Sequence, residues 1–160
     1  MNQPPSLLVG FSVGAGGQQL WAAPSVDVHY ADLTVRTVPG PFYFGGGLQY
    51  RFGKTVRATD CNHRPIYVSL GYLDDWLLSP ILRGSQSSLE TQGVWVAMVG
   101  LRRNLNPRGT TFFEYGVGIS RFSELRQVGD IEGSRSYFAP MIELRLGLIQ
   151  PKPKRRYGWQ

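Results

Sequence analysis

At 160 residues the chain is most simply one domain, long enough to bury a core or close a single barrel. The net charge of +6 points to acidic partners, but much of it sits in Lys152, Lys154, Arg155 and Arg156 and so describes a tail. A single Cys61 excludes an internal disulfide or a cysteine metal cluster, and no run of about eighteen apolar residues offers a transmembrane helix.

The start, Met1-Asn2-Gln3-Pro4-Pro5, lacks the basic and apolar regions of a secretory signal. It fits either a cytoplasmic protein or a mature chain with a start Met added, and a membrane barrel requires the second. The first predicted strand is Leu7–Ala15, where Leu7, Val9, Phe11 and Val13 alternate with Leu8, Gly10, Ser12 and Gly14. Gln18–Pro24 reads as a loop carrying Trp21, an interface anchor in a barrel. Ser25–Val38 changes phase: Val26, Val28 and Tyr30 share one face, Ala31, Leu33 and Val35 the other, which predicts one strand with a bulge near Tyr30–Ala31.

After the Pro39-Gly40-Pro41 turn, Phe42–Phe52 alternates cleanly. Phe42, Phe44, Gly46, Leu48, Tyr50 and Phe52 oppose Tyr43, Gly45, Gly47, Gln49 and Arg51, with aromatics towards both ends of the first face. Gly53–Pro65 is a polar loop holding Cys61 and His63. Ile66–Tyr72 is a further strand, and Gln92–Arg103 another that is apolar on both faces. Trp76–Arg83 supplies an eighth strand despite Pro80, because a single-chain bacterial barrel has an even number of strands. Asn104–Gly109 is a short turn.

Thr111–Phe122 splits into a greasy face (Phe113, Tyr115, Val117, Ile119) and a small one (Glu114, Gly116, Gly118, Ser120). A strand of a soluble sheet usually turns larger polar side chains to water, whereas a lumen favours small and polar ones. Ser123–Ser136 reads as a long polar loop. In Tyr137–Ile149, Phe138, Pro140, Ile142, Leu144, Leu146 and Leu148 oppose Ala139, Met141, Glu143, Arg145 and Gly147. Long and short connections then alternate, with Gly53–Pro65 external and both termini on the periplasmic side.

The inward faces carry Arg51, Glu114, Glu143 and Arg145, expected to pair as a charge network plugging the lumen, since unpaired buried ions are costly. The competing roles are a proton relay, a narrow gated pore or an acid–base pair of Glu114 with Glu143. Trp21, Phe42, Phe52, Tyr72 and Tyr137 are the expected membrane-interface aromatics. His29, near Asp32, has no nucleophile at an informative spacing, and Cys61 with His63 is too small a set for zinc. No catalytic residue, metal site or cofactor is assigned. The tail from Lys152 to Trp159, with Lys154, Arg155 and Arg156, is expected to be solvated or to contact lipid or a protein partner rather than nucleic acid.

Tyr67-Val68-Ser69-Leu70-Gly71-Tyr72, Gly93-Val94-Trp95-Val96-Ala97 and Phe112-Phe113-Glu114-Tyr115-Gly116-Val117-Gly118 together resemble the middle of small outer-membrane barrels. The type they are most similar to is the lipid A deacylase (PagL-like), and more loosely the OmpA-type barrels. The resemblance implies the fold. It weighs against deacylation: those enzymes carry a His-x-Ser near the C-terminus, whereas here no histidine follows His63 and His29 has Ala31 in the serine position.

The expectation is an all-β protein, a single antiparallel eight-stranded transmembrane β-barrel over residues 1–150, with an extended basic tail over 151–160. It sits in the bacterial outer membrane, without enzymatic function, in a structural or binding role. Its partners are outer-membrane lipid and a protein met through the tail or external loops. The alternatives are a lipid A-modifying enzyme and a soluble lipocalin-like ligand carrier.

Overall fold

A computed structural model describes residues 7–17, 23–39, 44–74, 89–128 and 131–150. Its strands are β1 (Leu7–Gly16), β2 (Ala23–Tyr30), β3 (Leu33–Pro39), β4 (Phe44–Phe52), β5 (Ile66–Asp74), β6 (Leu89–Asn104), β7 (Thr111–Val128) and β8 (Ile131–Ile149). Each pairs antiparallel with the next, and β8 pairs with β1 to close the barrel. The predicted eight-stranded antiparallel barrel is therefore the fold.

The strand inventory needs two corrections. Ser25–Val38 is not one bulged strand but the hairpin β2–β3, turning at Ala31-Asp32. The phase change comes from the two turn residues, and Ala31 takes a left-handed φ of 51°. Alanine has no preference for that conformation, so the turn carries no local signal. It is held from outside instead. The Arg51 backbone N–H donates to the Asp32 carbonyl (2.8 Å), the Arg51 guanidinium donates to the Ala31 carbonyl (3.2 Å), and Arg64 pairs with Asp32 (3.2 Å).

β3 thus completes the eight strands in place of the predicted Trp76–Arg83. That segment lies outside the described residues, and β5 is hydrogen-bonded directly to β6. The extra turn also reverses the side of the next connections, so the loop 53–65 lies at the end that carries the termini, not at the opposite end as expected. Ser123–Ser136 is not a loop either. β7 and β8 continue through it and connect across residues 129–130, because their registered pairing extends to Val128↔Ile131. β6 correspondingly starts at Leu89 rather than Gln92, with a register shift between Thr91 and Gly93.

The alternation governs what each face meets. Val9, Phe11, Val35, Leu48, Leu70, Val99, Val117, Ile142, Leu144 and Leu148 are all exposed on the outside. The interior instead holds Asp27, Arg36, Gln49, Arg51, Arg102, Glu114, Glu143 and Arg145, each at most 4% exposed. Small inward residues make room for large ones. Tyr67 lies across Gly100 and Gly116, and Phe112 lies across Gly147. Val38, Tyr67, Leu73, Val94, Val96 and Met98 form an apolar cluster, most of whose members lie towards the end opposite the termini.

Candidate functional site

The centre of the lumen is a hydrogen-bonded network contributed by β1, β2, β3, β4, β7 and β8. Asp27 and Arg36 are directly opposed in the β2–β3 register, and Arg36 Nε donates to Asp27 Oδ1 at 2.8 Å. Ser12 Oγ donates to the other Asp27 oxygen at 3.0 Å and sits 2.6 Å from Ser25 Oγ. Arg36 also donates to Gln49 Oε1 (3.0 Å), and Gln49 Nε2 donates to Glu114 Oε1 (3.0 Å). Gln49 therefore presents its acceptor to arginine and its donor to a carboxylate, linking the two charged halves.

Glu114 and Arg145 face each other in the β7–β8 register. Arg145 donates to Glu114 Oε2 at 2.6 Å and also contacts Glu143. Arg36 lies 3.8 Å from Glu114 and 4.0 Å from Glu143. Charges buried this deeply require opposite charge and hydrogen bonds at close range. The pairing also blocks the bore, since eight strands leave an interior just wide enough for side chains.

The four sequence-predicted network residues separate here. Glu114, Glu143 and Arg145 meet in the central cluster, whereas Arg51 lies nearer the terminal mouth and donates to the Ala31 carbonyl. Asp27, Arg36, Gln49 and Arg102 also belong to the interior, beyond the four residues the sequence predicts for the network. Their signal was available. Asp27 and Arg36 sit symmetrically about Ala31-Asp32, and Arg102 shares the phase of the inward Val94, Val96 and Met98.

Among the interface aromatics, Tyr72 is exposed and packs against Trp95 with ring centroids 5.0 Å apart. Phe52 is half-buried near the terminal mouth. Tyr137 takes the inward phase of β8 near the opposite rim, stacked on Phe122 at 5.0 Å, while its neighbour Phe138 is exposed outside. Trp21, Phe42 and the tail residues Lys152, Lys154, Arg155, Arg156 and Trp159 lie outside the described residues.

Further polar groups gather at the terminal mouth. His29 is buried, with Nδ1 2.8 Å from Thr34 Oγ1, while Asp32 is paired with Arg64. The imidazole therefore faces the lumen, and Asp32 does not serve it as an orienting carboxylate. The loop 53–65 folds against this mouth. It carries a bridge between Val56 and His63, and the Cys61 N–H donates to the Arg108 carbonyl at 3.0 Å. Cys61 packs with Phe112 and Ile149, and its burial pushes the thiol up from its ordinary pKa. Burial and the Arg102 and Arg51 charges push His63 down to about 4.

Neither family models, nor curated proteins, nor solved structures give a match to this chain.

Proposed function

We propose that the protein spans a bacterial outer membrane as a plugged β-barrel with a structural or binding role, neither an enzyme nor an open pore. The observation that carries this reading is the polarity of the wall: buried charges inside, and exposed apolar side chains on the outer face of every strand. An exposed apolar surface of that extent is unfavourable in water and favourable in lipid.

The dimensions agree. From Phe138 to Leu148 the outward residues of β8 are Phe, Pro, Ile, Leu, Leu and Leu, all exposed. Eleven residues rising ~3.4 Å each and tilted ~40° cover roughly the 25 Å height of a lipid-facing band. A soluble ligand-carrying barrel is disfavoured by the same comparison, because its outer wall would have to be polar. The lumen's ion pairs support a closed bore. The inward position of His29 and the absence of a hydroxyl at Ala31 weigh against acyl transfer.

The deciding experiment is expression behind a secretion signal in a bacterium, followed by membrane fractionation and electrophoresis with and without heating. Sedimentation with the outer membrane and a heat-dependent change in migration are expected. Recovery as a monodisperse protein without detergent would overturn the membrane reading, and steady single-channel current in planar bilayers would overturn the plug.

A further inference from the structure

The central network leaves cationic groups at the terminal mouth that it does not neutralise. Arg36 is paired with Asp27, and Arg145 with Glu114 and Glu143. Arg102 has only Glu114 Oε1 at 3.9 Å, and that carboxylate already accepts bonds from Gln49 and Arg145. Arg51 makes no ion pair within 4.0 Å among the described residues, and its guanidinium bond is to a backbone carbonyl. Counting the buried interior, Arg36, Arg51, Arg102 and Arg145 exceed Asp27, Glu114 and Glu143 by one positive charge among the described residues.

Side-chain nitrogens there are also without hydrogen-bond partners. Arg102 Nε, Nη1 and Nη2 make no hydrogen bond, nor do Arg51 Nε, His29 Nε2 and His63 Nδ1. All four side chains are at least nine-tenths buried, with exposures of 3% for Arg102, 4% for Arg51 and His29, and 5% for His63. Phe112 organises them. The Arg102 guanidinium carbon lies 3.6 Å over its ring centroid, and the His29 ring meets it edge-on at 6.4 Å. Stacking occupies the face of a guanidinium and leaves its N–H edge free in the plane. That edge is the geometry that grips a two-oxygen acceptor.

Buried donors are normally satisfied, and a buried charge without a counter-charge is costly. A small oxyanion meets both demands at once. Cys61, in the same loop as His63, does not supply the missing charge, because its burial favours the neutral thiol. We propose that Arg51, Arg102, His29 and His63 form an internal binding site for a small oxyanion of the phosphate or sulfate kind, entered from the mouth that carries the termini. Loop 53–65 covers this site, held by the bond from the Arg102 N–H to the Pro65 carbonyl at 2.6 Å. The site depends on the lumen and not on what surrounds the barrel, so it stands or falls separately from the membrane reading.

The test titrates inorganic phosphate into the folded full-length protein at constant ionic strength, with chloride as the balancing ion. Thermal midpoint and 31P line width are the readouts. A saturating rise in midpoint and a line broadening that sulfate reverses and chloride does not are expected. Arg102→Gln weakens the phosphate affinity roughly tenfold or more, the loss expected for a charge-assisted pair, and Arg121→Gln on the outer wall leaves it unchanged. An equal phosphate response in wild type and Arg102→Gln marks a general salt effect and overturns the site. If Arg102→Gln does not fold, the wild-type 31P signal decides: a phosphate line that the folded protein does not broaden overturns the proposal.

Discussion

Arg145 and Glu114 occupy opposed positions on β8 and β7, and their side chains meet at 2.6 Å inside the barrel. Each is 1% exposed, so neither charge has water to fall back on. Glu114→Gln or Arg145→Met is expected to destabilise the fold by about 3–5 kcal/mol, because either change breaks a buried ion pair and leaves the rest of the network to rearrange around the gap. The double variant Glu114→Gln/Arg145→Met should cost clearly less than the two single changes summed. Equilibrium unfolding in urea measures all three, and strict additivity would contradict the pairing.

The outer wall makes the opposite demand. Ile142 stands 66% exposed near the middle of the apolar run on β8. Ile142→Arg should reduce the folding free energy into phosphatidylcholine vesicles by about 2–4 kcal/mol, the cost of a cation at the bilayer midplane. Arg121, exposed opposite Phe138 towards the end of the wall away from the termini, is the internal comparison, and Arg121→Ile should cost nothing. Equal vesicle folding by wild type and Ile142→Arg would argue against lipid contact.

Gly116 is set by Tyr67. A Cβ added there would lie 2.6 Å from Tyr67 Oη and 2.8 Å from the Val99 carbonyl oxygen. Gly116→Ala should cost about 1–3 kcal/mol through overpacking. Tyr67→Phe in the same chain should recover part of that loss by removing the nearer atom, while the backbone clash persists. Thermal unfolding of the four variants completes the cycle, and no recovery would mean that the ring is not the obstacle.

His63 gives the mouth a pH dependence. Its ordinary pKa of 6.5 falls to about 4 in the folded protein, first through burial and then through Arg102 and Arg51. The unfolded chain therefore binds the proton at higher pH than the folded one, and stability rises with pH between those two values. The full contribution is present above about 6.5 and is lost as pH falls towards 4. Unfolding midpoints between pH 7 and pH 4 should fall less steeply for His63→Gln than for wild type. Parallel curves would remove His63 from the account.

Period-two alternation made much of the barrel legible, because inside and outside differ so sharply here. It assigned Arg51, Glu114, Glu143 and Arg145 to inward faces from spacing alone. What it missed had a tertiary cause. The Ala31-Asp32 turn lacks glycine and asparagine and is held by Arg51 and Arg64, which are distant in sequence. Misreading that turn hid the Asp27–Arg36 pair and misplaced the loop 53–65. Arg102 was obscured differently: β6 carries apolar residues on both faces, so its one inward cation looked like a strand end.

The unequal strands have a consequence for how the barrel is built. β7 and β8, 18 and 19 residues long, pair along almost their entire length across a connection at residues 129–130. The closing seam joins only Gly10–Gly16 to Glu143–Ile149, from opposite ends of the chain. Loop-closure entropy favours the near pairing and delays the far one. Assembly should therefore start from the C-terminal hairpin and proceed through an open sheet, with the β1–β8 seam zipping last. Pulsed hydrogen exchange should show β1 amides protected later than those of β7.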